Sequence, residues 1–96
     1  MYIIVIGCGR TGSKLANYFS SKNHNIVVID NDESTFQKLE ASFNGITILG
    51  NGIDEEILLK AGIEKADAVL TMTKNDNTNI MAGQIAKKIY QIKKLD

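Results

Sequence analysis

The sequence predicts an α/β fold: a parallel sheet of strand order 3-2-1-4 with helices on both faces. Three observations carry that prediction. Four short apolar runs rich in β-branched residues recur along the 96 residues, each bounded by Gly, Asn or Asp. None shows the polar alternation of a half-solvated strand, as burial on both faces of a parallel sheet requires. Segments of helical periodicity separate the runs, and strand–helix alternation closes a parallel sheet through right-handed crossovers.

The first strand, Tyr2–Ile6, runs straight into Gly7-Cys8-Gly9-Arg10-Thr11-Gly12, on which the first helix opens. That helix places Leu15, Ala16 and Phe19 on one face, beside Gly12. The second strand, Ile26–Ile29, ends in Asp30. A second helix is expected next, because Asp32 suits an N-cap and Phe36, Leu39 and Phe43 then fall on one stripe. The third strand, Ile46–Leu49, leads into the compact turn Gly50-Asn51-Gly52. A third helix runs from Asp54 through Ile57, Leu58 and Ala61 and stops at Gly62, a left-handed C-cap. The fourth strand, Ala68–Thr71, exits through Met72, Thr73 and Lys74. A fourth helix begins at Asp76 and carries Ala82, Ile85, Ala86 and Ile89 at i, i+3, i+4 and i+7. Ile92–Asp96 reads as a frayed end, and His24 as an exposed turn residue without a partner.

Composition narrows the function. One domain spans 1–96, since 44% hydrophobic and 23% charged residues suit one modest core and neither Pro nor a Gly/Ser linker marks a boundary. Eleven basic side chains balance eleven acidic ones, so no broad positive field favours nucleic acid or an anionic membrane. The longest apolar run, Tyr2–Ile6, is far below the roughly 20 residues of a membrane span, and no leader is expected. One Cys and one His cannot build a structural zinc site or an internal disulfide, so a metal-free cytoplasmic chain is expected.

A doubly wound sheet binds ligands outside the carboxyl ends of its strands, at the point where strand order reverses. There the chain places a Gly-x-Gly-x-x-Gly run between a strand and a helix, the Rossmann-like arrangement. Gly7 makes the tight turn, Gly9 lets a pyrophosphate approach the backbone, and Gly12 lets the helix lie close to the sheet. The helix start offers unpaired N–H groups and about half a positive charge, and Arg10 adds a cation. Asp30, with Asn31 beside it, stands where a carboxylate accepts hydrogen bonds from ribose hydroxyls. No Arg or Lys within Asn31-Asp32-Glu33 offsets that charge, so NADP is disfavoured against NAD(H), ATP or ADP. Asn51 and Gly52 are placed to border the adenine, and Thr73 and Lys74 the distal part of a ligand. Cys8 sits at a helix start, which can activate a thiol, but reads as a small filler. The acids Asp54, Glu55 and Glu56 complement a helix dipole rather than form a cation site.

Val5 to Gly12, Val28-Ile29-Asp30, Gly50-Asn51-Gly52, Ala61-Gly62-Ile63, Ala66-Asp67-Ala68 and Thr73 with Asp76, Thr78 and Asn79 resemble one family in particular. It is the nucleotide-binding lobe of potassium-conductance regulators, called RCK or KTN, which includes the peripheral subunits of Trk and Ktr potassium-uptake systems. The resemblance covers nearly the whole chain. It implies a cytoplasmic, non-enzymatic regulatory subunit, peripheral to the membrane, that binds NAD(H), ATP or ADP. As a homodimer or higher ring it would gate a potassium-conducting membrane subunit. By the resemblance Gly7, Gly9, Arg10, Thr11 and Gly12 hold phosphates, with Cys8 in their loop, Asp30 holds the ribose, and Thr73 with Lys74 the far end. Asn51 stands where many members carry an acid. The family lobe also continues with further strands, so the fourth strand is expected to be an open edge around Val69, Leu70 and Thr71.

Two other readings compete. The chain can be the cofactor-binding half of an NAD-dependent oxidoreductase, although hydride transfer needs a positioned acid or base and no Tyr-x-x-x-Lys pair stands out. It can also be an assembly module with a vestigial pocket, which would have no need of Arg10 and Asp30.

Overall fold

The computed structural model describes residues 1–73 and 94–95, and there the four apolar runs become parallel strands. They are β1 (Tyr2–Ile6), β2 (Asn25–Asp30), β3 (Ile46–Leu49) and β4 (Ala68–Thr71). A short fifth strand, β5 (Lys94–Leu95), completes the order β3-β2-β1-β4-β5. Register is set by burial: Ile4 of β1 lies beside Val27 of β2 and Val69 of β4.

Alternate residues of each strand feed two separate cores, because successive side chains point to opposite faces. On one face Ile3, Val5, Ile26, Val28, Ala68 and Leu70 pack with Ala16 of α1 (Arg10–Ser21). On the other Ile4, Ile6, Val27, Ile29, Ile48 and Val69 pack with Leu58 of α2 (Glu55–Lys60) and with Ile63. The inner positions of the central strands, residues 3–6 of β1 and 26–29 of β2, are therefore apolar on both faces, which explains the missing alternation. The expected strand order is present, with α1 on one face of the sheet and α2 on the other.

α1 shows the anticipated face: Gly12, Ser13 and Ala16 are buried, with Leu15 and Phe19 half-covered against the same core. α2 begins at the expected cap, where Glu56 N–H donates to Asp54 Oδ1 at 2.9 Å. It ends at Gly62, whose φ of +86° is the left-handed conformation that glycine reaches without strain. A 3-10 turn, Ile63–Lys65, follows.

Three expectations are corrected. The stripe Phe36, Leu39 and Phe43 does not form a full helix; Glu33–Lys38 is a 3-10 helix, and Leu39 is already extended. Local side chains compete for the backbone there: Ser34 N–H and Oγ–H both donate to Asp32 Oδ1, and Thr35 Oγ1–H donates to the Asp32 carbonyl. α1 then takes over what a helix would satisfy, since Glu40 N–H donates to Asn17 Oδ1 and Asn44 N–H to Ser20 Oγ. All three apolar residues still cover the α1 core. Secondly, β4 is no open edge over its first half, because Ala68 and Val69 pair in parallel with Lys94 and Leu95. The segment expected to fray thus supplies partners for β4's backbone groups. Thirdly, His24 is half-buried: its Nδ1 lies 2.9 Å from the amino group of Met1, and its ring meets Phe19 edge-on. The helix expected from Asp76 lies outside the described residues, as does Lys74.

Candidate functional site

A crevice of about 500 Å³ opens at the carboxyl ends of β1, β2, β3 and β4, where β1's neighbours diverge. Its size falls within the roughly 300–1,000 Å³ of small-molecule sites. Of the residues singled out from sequence, Gly7, Gly9, Asp30, Asn31, Asn51, Gly52 and Thr73 form its walls. Arg10 and Thr11 stand exposed at the start of α1, and Gly12 is buried beneath the loop.

The glycines differ sharply in what surrounds them. Gly7 adopts φ +107°, and a Cβ there would lie 2.7 Å from backbone atoms of Met72 and Thr73. The loop and the β4 exit are thus in backbone contact across the switch point. A Cβ on Gly12 would collide with the Gly7 carbonyl oxygen. Gly9 is the reverse case: a Cβ there would meet no protein atom within 4 Å. It would project into open space at the start of α1.

That start is bare. Gly9 is the N-cap, no side chain among the described residues accepts from the first amides, and the first turn holds no acid. Those amides are oriented but not satisfied by the helix itself. A diphosphate is the kind of group such an end accommodates.

Asp30 closes β2 beside this loop. Its Oδ2 accepts the Cys8 N–H at 2.7 Å and its Oδ1 accepts the Asp32 N–H at 2.9 Å. Each carboxylate oxygen has two acceptor positions, so both retain one for a sugar hydroxyl. Asn51 is partly committed as well: its Oδ1 accepts the Ile53 N–H at 3.1 Å and shapes the turn under α2.

Cys8 faces inward. The thiol is fully buried, its Sγ lies 3.5 Å from the Thr35 carbonyl, and its amide is taken by Asp30. Burial pushes its pKa up, the charge of Asp30 adds to that, and Lys38 and the Thr35 contact oppose it. The thiolate form is therefore disfavoured in this setting. The Asp32 carboxyl moves the other way, held below the usual carboxylate range by the Ser34 hydroxyl and then by the Ser34 N–H.

Thr35, Lys38 and Met72 also line the crevice, and sequence reasoning passed over them as site residues. The signal for Lys38 was hidden by the expected helix; the 3-10 turn brings this cation back over the end of β2. Among the described residues no group of three or more His, Cys, Asp or Glu is placed to hold a metal ion. No described helix is long and apolar enough to cross a membrane.

Comparison with known proteins gives the following. A model of the TrkA-N domain family matches residues 3–95. The Trk system potassium uptake protein TrkA of Streptomyces coelicolor is 39% identical over 92 residues, which is 96% of this chain and 41% of that protein. The present chain therefore spans less than half of that relative. Among solved structures, the TrkA-N domain of inner membrane protein ybaL from Escherichia coli superposes with a TM-score of 0.84 at 23% identity, covering 97% of this chain and 69% of that one. The AMP-bound form of the Shewanella denitrificans Kef CTD gives 0.77 at 18% identity, covering 98% and 57%. At those identities the two structures speak for the fold.

Proposed function

The chain belongs to the TrkA-N domain family, and on that premise we propose that it is the adenine-nucleotide-binding lobe of a regulator of potassium uptake. One observation carries the reading: the bare, glycine-capped start of α1 and the Asp30 carboxylate border a single crevice. The space beyond Gly9 suits a phosphate, and the free acceptor positions of Asp30 suit ribose hydroxyls. The candidate ligands are NAD(H), ATP and ADP. The AMP carried by a protein of the same fold supports an adenine nucleotide as the class.

Asp30 and Asp32 border the ribose end and disfavour a 2′-phosphate, while Lys38 softens that repulsion. NADPH therefore binds more weakly than NADH. When bound, such a ligand supplies no reaction; it supplies charge and shape that distinguish one arrangement of the assembly from another. Gating then follows from unequal affinity for the two arrangements. In this reading the lobe works at the cytoplasmic face, as a homodimer or higher ring on a potassium-conducting membrane subunit.

Calorimetric titration with ADP, ATP, NADH and NADPH tests the proposal. Saturable binding of at least one nucleotide without a 2′-phosphate is expected, with NADPH weaker than NADH by about tenfold, the worth of one charge-assisted contact. Equal affinities would remove Asp30 from the ribose. No binding by any of the four would reject the nucleotide reading.

A further inference from the structure

We propose that Asp30 is also the positioning residue of the phosphate loop, so that one carboxylate governs both the sugar and the phosphate ends of the ligand. The inference rests on the nucleotide-binding reading above for its ligand, but the contact that carries it is within the protein.

The corner between β1 and α1 turns on three residues. Gly7 is fixed through its N–H, which donates to the Ile29 carbonyl at 2.7 Å. Gly9 is tied to α1 through its carbonyl, which accepts the Ser13 N–H at 2.9 Å. Cys8 lies between them and belongs to neither element; its N–H donates to Asp30 Oδ2 at 2.7 Å. The Cys8 thiol adds a weak contact of 3.5 Å to the Thr35 carbonyl. The strongest tie on the middle of the corner is therefore a side chain from the neighbouring strand.

Asp30 is held in turn. Its other oxygen accepts the Asp32 N–H at 2.9 Å, which fixes the plane of the carboxylate against β2's exit. Rotation about the side chain would break both bonds. The peptide after Cys8 leads directly to Gly9 and the unfilled amides of α1, so the aim of those amides depends on the Asp30 bond. A phosphate site needs its donors fixed to within about 0.5 Å. A sugar hydroxyl on the carboxylate's remaining acceptor positions would hold the same orientation, and the two ends of the ligand then assist one another reciprocally.

This assignment reverses the sign of a simple electrostatic expectation. Pyrophosphate has no sugar and makes no use of Asp30 as a ribose acceptor. By Coulomb's law alone, removing a negative charge near its site should tighten pyrophosphate binding. Loss of the brace should weaken it.

The test compares the wild-type chain with Asp30→Ala and Asp30→Asn, using pyrophosphate and ADP as probes by calorimetry and amide hydrogen exchange by NMR without ligand. For Asp30→Ala we expect pyrophosphate affinity to fall about tenfold and Cys8 N–H exchange to accelerate by at least that factor, the strength of a hydrogen bond to a charged group. Amides of Val5 and Val28 stay protected and show that the sheet is intact. Asp30→Asn keeps one carbonyl oxygen for Cys8, and pyrophosphate affinity returns to within about threefold of wild type. If Asp30→Ala fails to fold, Asp30→Leu, close in size and without an acceptor, carries both readouts with the same expected results. Pyrophosphate binding that is unchanged or tighter in Asp30→Ala overturns the proposal, as does unaltered Cys8 exchange. If the wild-type chain binds neither pyrophosphate nor ADP, the nucleotide reading falls, and the exchange rate alone decides whether Asp30 braces the corner.

Discussion

α1 and α2 leave the same end of the sheet and begin in opposite ways. α2 seals itself: Asp54 accepts the Glu56 N–H, and Glu55 and Glu56 place two acids in the first turn. The 3-10 helix after β2 does the same through Asp32 and Glu33. α1 has glycine at its N-cap, no side-chain cap and no acid in its first turn. A cap is worth about 0.5–2 kcal/mol, so α1 forgoes stability that its neighbours collect. Both the 3-10 helix and α1 begin at the wall of the crevice, and of those two starts only that of α1 lacks a side-chain cap and an acid.

Substitutions can break this contrast or sharpen it. The largest effect is expected from Gly12→Val, whose side chain would collide with the Gly7 carbonyl. Pushing α1 off the loop should cost about 1–3 kcal/mol in chemical denaturation, and nucleotide binding should disappear with it. Gly9→Asp makes α1 resemble α2. With no protein atom near the new Cβ, stability should rise by a few tenths of a kcal/mol. Nucleotide affinity should drop by at least about tenfold, as the new carboxylate occupies and repels the phosphate position. Unchanged affinity would show that the bare amides hold nothing.

The converse change is Asp54→Ala, expected to lower stability by about 1 kcal/mol and leave nucleotide affinity as it was. The smallest effect concerns Ser34→Ala, read as an NMR titration of Asp32. Loss of the hydroxyl should raise the Asp32 pKa toward the ordinary carboxylate value. Because the folded pKa is depressed, the cap's contribution is present above the unfolded carboxylate pKa and is lost as pH falls through the folded one. Ser34→Ala should shrink that acid-side dependence.

What was legible in the sequence follows the same physics. The strands were readable because burial on both faces leaves apolar residues at every central position, as in Ile3 to Ile6. Glycine at 7 and 12 was readable because each meets a demand that few residues satisfy, a positive φ at the first and a close backbone contact at the second, whereas Gly9 meets none within the protein. The stripe Phe36, Leu39 and Phe43 misled, since periodicity reports which residues reach a core and not whether Ser34 and Thr35 will divert the backbone on the way. Lys38 was missed as a consequence. Cys8 and Asp30 show the other limit: their bond joins residues 22 positions apart in the chain. Spacing alone indicated a ribose acceptor and gave no sign of a brace. β5 escaped notice because two residues carry too little pattern to identify a strand.

The most direct measurement is a map of amide chemical-shift changes as ADP is added to saturation. If the crevice is the site, the changes concentrate at Gly9, Arg10, Thr11, Asp30 and Asn31, while Glu55 and Glu56 at the sealed start of α2 stay still. Shifts centred on α2, or saturation that leaves Gly9 through Thr11 unmoved, would contradict the account.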